Sequence, residues 1–276
     1  MPDRRFVVVC VLLAVLTGCA SAEPAGEPNA PAGSGPIVAQ PNASAPEPEP
    51  AVPDEVDAIL KTLNRNLLEL RSCRLELSWR FYQPLLEAST VRTGTLYYKK
   101  GHDRSHLRIN FSSLKQDQEQ PQPLREEIIF DGVWLTRIDY QLKEIKRDQL
   151  APDDKPLDAF QLLTGRIPII SFESIDNLKK QFDIALGSPA DPNERVHLVF
   201  TPRPDSEFIR DYKKIEILTK ATAALPQRIR AVTPDDDLNE IVLKRSGSQD
   251  VADSVFTFEK PRDFTIISKP LKSEDR

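Results

Sequence analysis

Apolar residues recur along this chain with two different periods, and the change of period divides it. Between Pro53 and Ser72, Val56, Ile59, Leu60, Leu63, Leu67 and Leu70 recur at the i, i+3, i+4, i+7 positions that line one face of an α-helix. Asp54 suits its N-cap. From residue 74 the period drops to two. In RLELSWRFY, Leu75, Leu77, Trp79 and Phe81 alternate with Arg74, Glu76, Ser78 and Arg80, as in a strand with one buried face. TGTLYYKKGHDRSHLRINF reads as two strands about a turn near Gly101, with Leu107, Ile109 and Phe111 alternating with polar residues. REEIIFDGVWLTRIDYQLKEIKRD carries Asp131-Gly132 between β-rich runs, a hairpin signal, and residues 141–143 suit a second turn. Short helices are predicted at PLDAFQLLTG (156–165) and within SFESIDNLKKQF (171–182). Strands resume at FDIALG, RVHLVFTP, YKKIEILTK, LPQRIRAVT, NEIVLKRS and VFTFEKP. About eleven strands in succession, with one long amphipathic helix, predict an α+β domain: an antiparallel sheet covered on one face. A sheet of that size tends to curl. A curled sheet with a helix over its concave side encloses a space, and any part that side chains leave unfilled suits an apolar ligand.

The first 52 residues follow neither period. Arg4 and Arg5 precede eleven apolar residues, Phe6 to Leu16. As a helix this run is about 16 Å long, too short for a bilayer core of ~30 Å, and its layout is that of a secretory signal. Leu16-Thr17-Gly18-Cys19 resembles the bacterial lipobox, in which the cysteine is acylated and becomes the first residue. The resemblance implies a signal peptide at 1–18 and a lipid anchor on Cys19, with Ala20 favouring the outer membrane. Residues 20–52 are rich in Pro, Ala, Gly and Glu and poor in large apolar residues, a composition expected to stay disordered. Residues 19–52 therefore read as a lipidated cysteine and tether, and 53–276 as one domain.

Charge and chemistry narrow the function classes. The formal net charge is −5, and loss of 1–18 would make it −6, with no basic signature for nucleic acid. Cys73 has no partner left for a disulfide within the domain. His102 and His106 flank a turn without a third ligand, and PDDDLNE lacks the glycine and glutamate of a calcium loop. No nucleophile elbow, phosphate loop or zinc-protease motif occurs, so no catalytic residue, metal or cofactor is assigned. Arg74, Arg80, Arg92, Lys99, Lys100, Arg104 and Arg108 make the early strands basic. They suit either a solvated sheet face or contact with phosphate headgroups or an acidic partner.

The order of phrases resembles the outer-membrane lipoprotein carrier and receptor family (LolA/LolB-like). ILKTLNRNLLELRSCRLELSW, GTLYYKK, LRINF, IIFDGVWLTRID, DAFQLLTG, VHLVFTP, IEILTK, LPQRIRAVT, NEIVL and VFTFEKPRDFTII stand in the family's order over residues 54–270. The resemblance implies an unclosed β-barrel lidded by helices, with a hydrophobic cavity for the acyl chains of lipoproteins or lipids. The expected cavity wall is Trp79, Phe81, Leu107, Ile109, Phe111, Phe130 and Trp134, read as sharing one strand face, with Leu60, Leu63 and Leu67 on the helical lid. The alternative is the same fold with a filled core, serving as a sensory or docking module for another envelope protein.

Overall fold

The computed structural model describes residues 53–159, 175–188, 196–220, 223, 225–247 and 250–271. The chain divides into Met1–Pro48 and Glu49–Arg276, and every described residue lies in the second unit. Cys19, the signal-like segment, the tether and all but the start of the 156–165 helix lie outside the described residues.

The predicted first helix is α1, Pro53–Glu69. Its apolar stripe is realised: Val56, Leu60, Leu63 and Leu67 are buried, while Leu68, one step off the stripe, is exposed. Six strands follow: β1 Ser72–Gln83, β2 Ala88–Lys100, β3 Ser105–Gln116, β4 Gln122–Phe130, β5 Trp134–Asp139 and β6 Glu144–Gln149. Helix α2, Ile175–Gln181, lies within the second predicted mid-chain helix and runs directly into β7, Phe182–Leu186. Then come β8 Val196–Pro202, β9 Lys214–Thr219, β10 Arg228–Val232, β11 Leu238–Arg245 and β12 Thr265–Lys269.

These twelve strands make one sheet in the order β12-β6-β5-β4-β3-β2-β1-β11-β10-β9-β8-β7. Two meanders, β1–β6 and β7–β11, join where β1 pairs with β11. The ends of the order, β12 and β7, do not pair with each other, so the barrel is unclosed. Every pairing is antiparallel except β12 with β6.

Two expectations at the C-terminus are corrected. VFTFEKP is not a strand: Asp253–Phe256 is a 3₁₀ turn and the chain continues irregularly to Phe264. Phe256, Phe258 and Phe264 are spaced like strand residues, but they anchor a strap laid across the sheet. Phe256 packs on His106 at 5.5 Å, and Phe264 and Phe258 pack with Ile129, Ile138 and Ile145. Arg108 Nη1 donates to the carbonyls of Val255 and Thr257 (2.6 and 3.0 Å). The strand lies just beyond, as β12, and it pairs in parallel because the strap carries the chain back to the rim at which β6 begins.

Candidate functional site

Cross-strand register divides the sheet into two faces, since alternate residues of a strand point oppositely. Leu75, Leu77, Trp79 and Phe81 of β1 stand opposite Leu96, Gly94, Arg92 and Thr90 of β2. Leu96 and Gly94 stand opposite Ile109 and Phe111 of β3, and Tyr98 opposite Leu107. Leu107, Ile109 and Phe111 in turn face Phe130, Ile128 and Glu126 of β4. On the other side of β1 the same face continues through Leu243, Ile241 and Ile229 to Ile217, Leu198 and Leu186. This inner face is apolar over most of its width. Beyond β4 it changes: apart from Leu135, β5 and β6 place Arg137, Asp139, Glu144, Lys146 and Asp148 on it.

Leu107, Ile109, Phe111 and Phe130 form a contiguous buried run. Trp79 and Phe81 are half-buried on the same face, nearer the rim at which β1 ends. The rings of Trp79 and Phe111 are 6.4 Å apart, and Trp79 Nε1 donates to Asn239 Oδ1 at 3.5 Å. Trp134 departs from the expected set. A two-residue turn pairs Phe130 with Leu135, so Leu135 shares the face of Phe130 and Trp134 points to the other face. There Arg147 lies 4.9 Å above its ring. Leu60, Leu63 and Leu67 are buried on α1, whose Asn66 side chain donates to the Ala223 carbonyl at 3.1 Å.

Two charged residues on this face were missed as wall components. Arg92 sits 5.9 Å over the Phe111 ring and its Nη1 is 3.3 Å from Glu126 Oε2. Burial holds the Glu126 carboxyl above the usual range, with the Arg92 charge opposing. A sequence signal existed: Glu126, Ile128 and Phe130 have the same parity, so a strand that buries Phe130 also turns Glu126 inward. The opposite parity places Arg108 and Glu127 on the outer face, where Arg108 Nη2 is 2.6 Å from Glu127 Oε2. The basic run of β2 and β3 is thus partly an internal framework. Lys99 pairs with Asp253 at 2.8 Å and His106 contacts Phe256.

Between the end of α1 and the 225–227 segment lies an apolar cleft of about 100 Å³. Leu70, Cys73, Leu75, Leu225 and Leu243 line it, and Arg245 stands at its edge. That is roughly the space of three waters and below the ~300 Å³ of a small-molecule pocket. A larger groove of about 470 Å³ by α2 is polar, lined by Lys179, Lys180, Gln181, Arg203 and Asp205. Cys73 is buried, and desolvation pushes its thiol up to about 12. Among the described residues no group of three or more His, Cys, Asp or Glu side chains is placed to hold a metal. The inner face is equipped for apolar contact.

No protein-family model and no curated protein sequence matches the chain. Solved structures do resemble it. An uncharacterized conserved protein from Thermus thermophilus is 12% identical, with a TM-score of 0.45, over 78% of this chain and 99% of that one. MucB is 13% identical, with a TM-score of 0.46, over 77% of this chain and 66% of that one. A LolA-superfamily protein from Nitrosomonas europaea is 13% identical, with a TM-score of 0.31, over 73% of this chain and 97% of that one.

Proposed function

We propose that the domain is a lipid-anchored envelope protein that holds acyl chains of a lipoprotein or lipid against the inner face of its sheet, under α1. The carrying observation is the run Leu107, Ile109, Phe111 and Phe130, continued by Leu75, Leu77 and Leu243 toward the cleft beside Leu70 and Leu225. In this reading the cleft admits a chain end, and α1 yields as the rest of the chain enters. Transfer would be reversible movement of apolar surface, with no covalent chemistry, and the acyl group on Cys19 would keep the domain at the periplasmic side of a membrane, by the lipobox resemblance the outer one. The test is titration of the protein with a fluorescent fatty acid, together with native mass spectrometry of the protein from cell extracts. Saturable binding and co-purifying lipid are expected, and the reading is abandoned if both come back empty.

A second reading has its own support. Leu60, Leu63, Leu107, Phe111 and Phe130 are buried by the protein's own side chains, as in a filled core that serves docking or sensing. Capture of a defined envelope partner that persists in Trp79→Ala and Phe81→Ala variants, without any lipid bound, would favour it.

A further inference from the structure

Strands β1, β3, β5, β8 and β10 all run toward one rim of the sheet, so the connections that follow them lie along that rim. Leu85 and Leu86, in the short 3₁₀ turn between β1 and β2, are 86% and 69% exposed. Leu142, between β5 and β6, is 70% exposed, and Ile209, between β8 and β9, is 42% exposed. Isolated exposed apolar residues are ordinary; two adjacent leucines at a hairpin tip, with two more apolar side chains along the same rim, call for an apolar neighbour.

The path of the chain says which neighbour. Asp57, near the start of α1, pairs with Lys179 of α2, and α2 enters β7 at this rim. The far end of α1 is at the opposite rim, where the Leu68 carbonyl accepts from Lys100 Nζ beside the β2–β3 turn. The segment that precedes Pro53, with Cys19 in it, therefore joins the domain on the leucine-bearing side. We infer that this rim faces a lipid bilayer and that the Leu85–Leu86 tip inserts into it. The inference rests on the proposed lipid anchor. Two or three acyl chains on Cys19 already suffice for anchoring; the apolar tip adds a second contact point, and two points orient the domain.

Charge narrows the lipid class. The connections 84–87, 117–121 and 233–237, adjacent along the rim and centred on the leucine tip, carry Glu87, Asp117, Glu119, Asp235, Asp236 and Asp237 and no Lys or Arg of their own. The basic residues of the rim stand in the flanking connections, as Lys143, Arg203, Arg210 and Lys213, the last paired with Asp236 at 2.6 Å. The stretch around the tip is therefore net acidic, is repelled by an anionic surface and suits a zwitterionic one.

The experiment uses the acylated full-length protein, reconstituted in phosphatidylcholine vesicles and labelled with an environment-sensitive nitrobenzoxadiazole at Leu86→Cys or, on the opposite rim, at His102→Cys. Cys73 is buried and should not compete. The label at 86 is expected to shift to the blue and to be quenched by spin-labelled lipid, while that at 102 keeps its aqueous spectrum. Exchange of part of the lipid for phosphatidylglycerol should reduce the quenching at 86. No shift at 86, or an equal shift at 102, overturns the inference, and stronger quenching with phosphatidylglycerol overturns the charge argument. Fatty-acid titration of Leu85→Ser/Leu86→Ser should match the unaltered protein. Fatty-acid binding that is absent while the label at 86 is shifted removes the cavity reading and leaves the rim assignment standing; the reverse result removes only the rim assignment.

Discussion

Arg108 offers the sharpest test of how the C-terminal strap is held. Its guanidinium donates to Glu127 Oε2 at 2.6 Å, to Asn110 Oδ1 at 2.7 Å, and to the carbonyls of Val255 and Thr257. Glu127 also accepts from the Tyr140 hydroxyl at 3.1 Å. The Arg108 and Glu127 side chains are only 15% and 11% exposed. Arg108→Met keeps most of the apolar stem but leaves a nearly buried carboxylate without its charge partner and two strap carbonyls without their donor. Breaking a buried pair costs about 3–5 kcal/mol, and residual exposure puts the expected loss near the lower end, about 3 kcal/mol. For a domain of this size that lowers the melting temperature by roughly 6–12 °C. Urea denaturation measures the loss, and hydrogen exchange should show faster exchange at residues 253–269 than across β7–β11. The double variant Arg108→Met/Glu127→Gln should recover part of the loss, because the stranded charge is gone. A loss under about 1 kcal/mol with unchanged exchange in the strap, or a double variant no better than the single one, would refute this account.

The outer face of the second meander carries a titratable set. The His197 ring, whose Nε2 is 3.5 Å from Glu216 Oε1, then the Lys214 and Arg230 charges, hold Glu216 down to about 2 against desolvation, and Glu216 raises His197 in turn. The depressed carboxylate stabilises the fold fully above its ordinary pKa of 4.5 and loses that contribution as pH falls toward 2; the share from protonated His197 is full below 6.5 and is lost as pH rises through its elevated value. The stability gap between the unaltered protein and Glu216→Gln, about 1–3 kcal/mol, should therefore be widest near pH 5–6 and close toward pH 2 in pH-dependent urea titrations; a flat gap would count against the network. A Cβ at Gly94 would overlap the Asn110 carbonyl oxygen, beside the bulge at Phe111–Ser113, so Gly94→Ala should cost more than about 2 kcal/mol by thermal denaturation. With Cys10 and Cys19 replaced by serine, Cys73 should react with a thiol reagent at about pH 8 only as fast as the protein unfolds, because its thiol is buried and its pKa is about 12; immediate labelling would contradict that burial.

The sequence was most legible where one face of a strand is buried and the other wet. α1 and β1–β3 follow that rule and were read almost residue by residue. β12 was invisible because all five of its residues are exposed, so burial leaves no alternation in Thr265–Lys269. The strap was misread as a strand because Phe256 and Phe258 have strand spacing, although they pack on an existing sheet. Trp134 was placed on the wrong face by treating an aromatic near a hairpin as part of the same wall; the two-residue turn reverses it. Arg92 and Glu126 were passed over because a charge in an alternating segment reads as solvated, and only register reveals that each stands on the apolar face and neutralises the other. The 100 Å³ cleft could not have been read at all, since its walls come from the α1–β1 connection, β1, β11 and the 225–227 segment.

The sheet changes its buried face partway across, and this separates stability from ligand room. In β1–β3 the inner face is buried, with Leu77, Leu96, Ile109 and Phe111. In β5 and β6 the outer face is buried instead, with Ile138 and Ile145 under the strap. Helix α1 bears the apolar stripe proposed to lid the first region, whereas the strap covers the second. Phe111→Ala and Ile138→Ala each remove a buried side chain and should each destabilise by about 2–5 kcal/mol. Only Phe111→Ala opens space on the inner face, next to Trp79. It should change the affinity for a fluorescent fatty acid, and raise it if the cavity formed stays open, while Ile138→Ala should leave that affinity unaltered at temperatures where both variants remain folded. Equal effects of the two substitutions on fatty-acid binding would mean that the ligand does not distinguish the faces, and the assignment of the acyl chain to the inner face would fail.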